Sequence, residues 1–221
     1  VNKKTALIFG ATGLVGNELI KLLLQREEYY KIVSVSRRSV GLTHEKLKEY
    51  IVDFNKLEQY EKLFKVDTVF CALGTTMKQA KTKEQFIKVD FDFPLKIAEL
   101  AKENGVRQFF IITAMGANPK SKFFYNRVKG DVEGAIKELQ LPSLYIVRPS
   151  LLLGNRKDNR LGEEIGQMIA VKLPFLFGGP FQKYKPNRSE DVARAMYNLS
   201  LNEQRGVYVI ETSSLEDYNK K

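Results

Sequence analysis

The feature that most constrains this chain lies at its start. A short apolar run at residues 5–9 passes directly into Gly10-Ala11-Thr12-Gly13-Leu14-Val15-Gly16, which opens a helix expected over residues 14–25. Leu19, Ile20, Leu22, Leu23 and Leu24 make that helix strongly apolar. In a strand–turn–helix unit one glycine permits the tight turn, one lets backbone approach a pyrophosphate, and one lets helix and strand pack closely. The helix N-terminus then turns unpaired N–H groups and the positive end of its dipole toward the phosphates. The glycine pattern carries weight because of its context, a strand before it and an apolar helix after it.

The same alternation continues. Strands are expected at 31–36, 50–52, 67–73, 107–113 and 143–148, with helices at 57–64, 91–104 and 122–139. Gly105 stops the second of these helices. The runs Thr-Val-Phe-Cys-Ala-Leu at 68–73 and Phe-Phe-Ile-Ile at 109–112 are almost continuously apolar. Parallel strands buried on both faces read this way. The fold class is therefore α/β, a doubly wound parallel sheet (Rossmann fold) with a small C-terminal substrate-side extension. After Arg148 the rhythm weakens to helices at 161–173 and 189–199 and a strand at 206–210. Residues 1–221 are expected to form a single domain, with residues 150–221 completing the sheet and lining the substrate cleft. The polar stretch 213–221 is expected to fray.

Composition excludes several chemistries. With one cysteine and one histidine among 221 residues, the chain has no internal disulfide, Cys-based zinc site or paired-His metal site. His44 lies in a polar loop, and Cys71 in an apolar strand reads as a core residue. Lys and Arg number 36 against 26 Asp and Glu, a formal charge of +10, which favours acidic partners without choosing among them. The basic residues are spread along the chain and form no nucleic-acid module, and no apolar run approaches the roughly 18 residues of a membrane span. The expected partner is a small-molecule substrate, with no specific nucleic acid and no membrane; a homodimer stays open. The N-terminus reads as a strand, not a leader, and the lone cysteine suits a reducing compartment, so the expected location is cytoplasmic.

Ser36-Arg37-Arg38 ends the second strand, where an acid would bind the ribose 2′-hydroxyl of NAD. Two guanidinium groups pair instead with a 2′-phosphate, which points to NADP(H). Asp53-Phe54 after the third strand can frame the adenine, and Leu73-Gly74 after the fourth can bring backbone against the cofactor. Tyr125 and Lys129 stand four apart on the long helix after the fifth strand, and so share one face. An ammonium beside a phenol favours the phenolate, which suits Tyr125 to proton exchange with a carbonyl oxygen as hydride moves. Asp90 and Asp92 precede an apolar helix and read as caps, with lining of the cleft open as a second reading for Asp90. Lys78, Lys81 and Lys83 read as solvated surface.

In this order, the glycine motif, the strand-end arginines, Asp53 and the Tyr125/Lys129 pair resemble the short-chain dehydrogenase/reductase family. Cys71-Ala-Leu-Gly-Thr-Thr76, Val89-Asp90, Met115-Gly116-Ala117, Val128-Lys129-Gly130 and Arg148-Pro149 are similar to its atypical branch, the subfamily of the human Tat-interacting protein. The resemblance spans nearly all of residues 4–212. It implies NADP(H) bound across Gly10, Thr12, Gly13, Leu14, Val15, Gly16, Arg37, Arg38, Leu73, Gly74, Tyr125 and Lys129, with Leu152 and Arg160 also touching the cofactor. The family usually ends its fifth strand with a serine that hydrogen-bonds the substrate carbonyl. Here the stretch reads Ile112-Thr113-Ala114. If position 113 faces the carbonyl, threonine supplies the hydroxyl; if 114 does, that donor is missing.

The leading expectation is an NADP(H)-dependent oxidoreductase acting on a small carbonyl compound, with Tyr125 as acid/base, Lys129 supporting it and Thr113 as carbonyl donor. One alternative is a cofactor-loaded regulatory or protein-binding module without turnover. Another is an NADP-dependent epimerase or dehydratase, for which the roughly 70 residues after Arg148 make a short sugar-nucleotide lobe.

Overall fold

The computed structural model describes residues 3–153 and 186–219. The helix expected at 161–173, Arg160, and much of the stretch expected to line the cleft lie outside these residues.

Apolar runs build the sheet. Its strands are β1 (Lys4–Phe9), β2 (Tyr29–Ser36), β3 (Leu47–Ile51), β4 (Thr68–Cys71), β5 (Gln108–Ile112), β6 (Ser143–Arg148) and, after the short pair β7 (Leu152–Leu153) and β8 (Asn187–Arg188), β9 (Gly206–Glu211). Seven of them form one sheet in the order β3-β2-β1-β4-β5-β6-β9, and every pairing in it is parallel. The chain runs outward from β1 to β3, returns to the far side of β1, and runs outward again. This is the doubly wound arrangement expected, and its switch point lies between β1 and β4.

Helices cover both faces. On one side lie α1 (Leu14–Leu24), α6 (Ser189–Ser200) and α7 (Thr212–Asn219), packed against Ala6, Ile8, Phe70, Phe110, Tyr145 and Val147. On the other lie a 3-10 segment (Phe54–Phe64), α4 (Phe93–Glu103) and α5 (Phe124–Glu138), packed against Leu7, Phe9, Val69, Phe109, Ile111, Leu144 and Ile146. Consecutive strand residues thus feed opposite cores, as a period of two requires. Across the first face, Phe70, Phe110, Tyr145 and Tyr208 are register partners on four adjacent strands. Their rings lie 4.9, 4.4 and 5.0 Å apart in succession, a continuous aromatic row that ties β9 to the older part of the sheet.

Several local expectations change. The third strand starts at Leu47, earlier than its apolar residues indicate, because an edge strand paired only with β2 tolerates exposed Lys48. The segment at 57–64 is 3-10 rather than α, begins at Phe54, and breaks at Lys56 and Tyr60. Residues 212–219 form a helix instead of fraying: Leu215 is buried, and Asn219 and Tyr218 bond back to α6 through Asp191 and Asn198.

The largest change concerns Asp90 and Asp92. After α2 (Met77–Ala80) the chain runs from α3 (Lys83–Ile87) through a π-helical turn (Lys88–Asp92) directly into α4; Asp92 holds the N-cap position of α4 without a side-chain capping bond, and Asp90 lies inside the turn. Asp90 is 1% exposed and finds partners on other elements.

Candidate active site

The site is built at the carboxyl ends of β1, β4 and β5. Gly10 has φ +85°, and a Cβ on it would lie 2.4 Å from the Ala72 carbonyl oxygen, so only glycine lets β1 and β4 end this close together. A Cβ on Gly16 would lie 2.2 Å from the Gly10 carbonyl oxygen, so its absence lets α1 rest on the turn. Gly13 is the N-cap of α1, with no side-chain cap and no acid in the first turn. The positive end of the helix therefore faces the turn without a resident anion. Thr12 and Leu14 are half-buried there, whereas Val15 belongs to the core, leaving its backbone as the part open to a ligand.

Arg37 and Arg38 follow β2 and are exposed. The Ser36 hydroxyl donates to the Arg38 carbonyl and shapes this turn. The Asp53 carboxylate accepts from the Asn55 amide and side chain, which hold it below the usual carboxylate range. Phe54 is 6% exposed and stacks edge-on with Phe9, so it offers a ligand backbone, not a ring face. Leu152 is half-buried against the first core, beyond β6. Cys71 is a core residue whose thiol burial pushes up to about 12.

Between β4 and α5 lies a buried ion pair. The Lys129 ammonium is 2.7 Å from Asp90 Oδ1, with side chains 5% and 0% exposed. Asp90 Oδ2 accepts from the Thr75 amide at 2.9 Å. Gly74 lies against the pair: a Cβ there would be 3.6 Å from Asp90 Oδ1 and 3.9 Å from Lys129 Nζ. Burial alone would pull the ammonium down, but Asp90, with Tyr125 and Cys71 adding to it, holds it above the usual lysine value. Burial pushes the Asp90 carboxyl up, against the pull of Lys129 and the Thr75 amide. Sequence reasoning offers lining of the cleft only as a second reading for Asp90; its pairing with Lys129 comes from the fold.

Tyr125 stands one turn before Lys129, 39% exposed, with its ring 5.6 Å from Phe86. Glu133 follows one turn later, so Tyr125, Lys129 and Glu133 line one face of α5. The Thr113 hydroxyl donates to Glu133 Oε1 at 2.6 Å and is buried. Glu133 in turn receives Arg148 Nε at 2.9 Å and a second guanidinium nitrogen, while the remaining Arg148 nitrogen reaches Glu211. Here the single proton of Thr113 goes to Glu133, which sets this network against the expected carbonyl donor at position 113. Ala114, just past the end of β5, is half-buried and carries no hydroxyl.

The profile of the NAD dependent epimerase/dehydratase family matches residues 6–125, more than half the chain and the part that holds the glycine turn and the β4 loop. The chain belongs to the NAD dependent epimerase/dehydratase family. Within it, the chain is 36% identical over 178 residues to protein HTATIP2 of Rattus norvegicus, covering 79% of this chain and 73% of that protein. The resemblance to the atypical dehydrogenase/reductase branch therefore holds. Protein FMP52, mitochondrial, of Debaryomyces hansenii is 33% identical over 205 residues, covering 89% and 87%.

Solved structures agree on the fold. MoeE5 in complex with UDP-glucose and NAD matches with a TM-score of 0.71 at 15% identity, covering 96% of this chain and 79% of that one. UDP-glucuronic acid 4-epimerase from Bacillus cereus in complex with NAD matches with a TM-score of 0.68 at 14% identity, covering 94% and 78%. The family and fold are those of NAD(P)-dependent enzymes.

The yeast relatives correct the expected cytoplasmic location: FMP52 proteins of several species are named mitochondrial. A lone reduced cysteine does not separate the cytosol from other reducing compartments.

Proposed function

We propose that this chain is an NADP(H)-dependent oxidoreductase that moves hydride to or from a small carbonyl compound. The observation that carries the reading is the placement of Lys129, buried beneath the β4 loop at Gly74 and one helical turn from the half-exposed phenol of Tyr125.

The residues present fit a dinucleotide. The uncapped α1 N-terminus and the glycine cradle receive the pyrophosphate, and Arg37 and Arg38, with no carboxylate in ion-pair reach among the described residues, receive a 2′-phosphate. The nicotinamide supplies the hydride donor or acceptor when bound. Tyr125 gives its proton to the carbonyl oxygen in reduction and recovers it in oxidation. Lys129 places a fixed positive charge beside that exchange, and Asp90 keeps the ammonium in position. Because Thr113 is engaged with Glu133 and Ala114 has no hydroxyl, Tyr125 is the donor to the oxygen. That missing second donor is also the observation favouring a cofactor-loaded module without turnover.

Tyr125→Phe separates the two. It should abolish NADPH consumption across a panel of aldehydes, ketones and enones while leaving NADPH affinity within about twofold. Turnover unchanged by the substitution would overturn the role of Tyr125.

A further inference from the structure

The positive charge is not evenly spread once the chain is folded. Residues 74–88, which leave β4, and residues 118–127, which enter α5, hold seven basic residues against one acid, Glu84. That is a net +6 of the chain's +10. The fold brings these stretches together beside Tyr125. The Phe86 ring lies 5.5 Å from Phe124 and 5.6 Å from Tyr125, and Ala80, Phe86 and Val128 form one small core. The Lys83 ammonium lies 5.5 Å over the Phe124 ring. Gly130 completes the approach: a Cβ there would meet Asn118 and Pro119 backbone at 2.3 Å, so its absence lets the turn before Lys120 rest on α5.

Lys78, Lys81, Lys83, Lys120 and Lys122 are all exposed, and none has a carboxylate within ion-pair distance among the described residues. Apolar surface stands among them: Phe123 is 74% exposed and Met77 39%. The 2′-phosphate does not account for this charge. Arg37 and Arg38, which would receive it, follow β2, two strands from β4 and three from β5, or about 10 and 14 Å at about 4.8 Å per strand. Both distances exceed the Debye length of about 8 Å at physiological salt. A basic collar around the reacting phenol raises the local concentration of anions and orients them.

We infer that the substrate is a carbonyl compound bearing a carboxylate or phosphate, with its anionic group on the collar of Lys78, Lys81, Lys83, Lys120 and Lys122 and its apolar part beside Phe123 and Met77. The inference rests on the oxidoreductase reading for the reacting group, but the anion site is testable without turnover.

The test uses three probes of one shape, 4-formylbenzoate, 4-formylphenyl phosphate and the neutral methyl 4-formylbenzoate, against the full chain loaded with NADP(H). Binding is read by ligand-observed NMR and turnover by NADPH absorbance. At low salt at least one anion should bind about tenfold tighter than the ester, and the advantage should shrink as salt rises. Comparing the carboxylate with the phosphate identifies the preferred group. Combined Lys78→Gln, Lys81→Gln and Lys83→Gln substitutions, or Lys120→Gln with Lys122→Gln, should bring the anion-to-ester ratio close to one. These exposed side chains make no described ion pair, and a thermal melt checks that the variants fold. Anion binding without NADPH consumption would leave the collar standing and sink the oxidoreductase reading. Equal affinity for anion and ester, absence of binding by all three, or capture of RNA or anionic vesicles in place of the small anions would overturn the collar.

Discussion

The Lys129 ammonium lies 2.7 Å from Asp90 Oδ1, and Asp90, whose Oδ2 accepts from the Thr75 amide, links the helix that carries the phenol to the loop that follows β4. Both side chains are almost wholly buried, so neither charge is hydrated in place of its partner. Removing one member of such a pair leaves an uncompensated buried charge, which costs about 3–5 kcal/mol. Asp90→Ala and Lys129→Met should each lower the unfolding free energy by about that much in urea, and the double variant should lose clearly less than their sum. Additive losses would show that the two residues are not coupled.

The glycines of the site divide by what a methyl group would meet. Gly16→Ala forces a Cβ to 2.2 Å from a backbone oxygen and should destabilise the chain by about 1–3 kcal/mol or more while weakening nucleotide binding. Gly134→Ala sits in α5 with open space around it and should stabilise by about 0.5–1 kcal/mol. Thermal melts of both variants check the contrast; the same sign for both would refute it.

The Thr113 hydroxyl is engaged with Glu133, and Ala114 beside it has no hydroxyl to offer. Thr113→Val should cost about 1 kcal/mol, by removing one of the hydrogen bonds to Glu133, and leave NADPH consumption near its starting rate. Ala114→Ser should raise turnover by about tenfold or more, because a well-placed oxyanion donor contributes on that scale. Steady-state rates of the two variants decide it. Loss of turnover in the first with no gain in the second would reverse the assignment.

Acid stability should depend on Asp67. Burial raises this carboxyl, but the Arg107 guanidinium, the Thr5 amide and the Thr5 hydroxyl outweigh it and hold it below its ordinary value. A depressed carboxyl adds stability that is full above its unfolded pKa, about 3.9, and is lost as pH falls through the lower folded value. Asp67→Asn should therefore lower the melting temperature at pH 7 and flatten its decline below about pH 4. An unchanged acid limb would exclude Asp67 as its source.

Much of the fold was legible because buried parallel strands are apolar on both faces. Residues 143–148 are a strand with the bounds expected, and the strand expected at 206–210 is β9, one residue longer. The edge strand β3 and the 3-10 segment were misread because neither carries a full apolar period. The site was legible where chemistry is local, in the glycine turn, the arginines after β2 and the i, i+4 spacing of Tyr125 and Lys129. The pairing of Asp90 with Lys129 and of Glu133 with Arg148 was not, because these partners lie on different elements and only the fold brings them together. The basic collar was hidden for the same reason: its two halves lie some forty residues apart along the chain.

Hydride transfer is read out by isotope labelling. The wild-type chain is supplied with NADPH carrying deuterium at both C4 positions of the nicotinamide, so that either face delivers label, and with 4-formylbenzoate among a panel of aldehydes, ketones and enones; products are read by mass spectrometry. One deuterium is expected on carbon in the reduced product, and none above background with Tyr125→Phe. Saturable NADPH binding with no deuterium in any product would contradict hydride transfer.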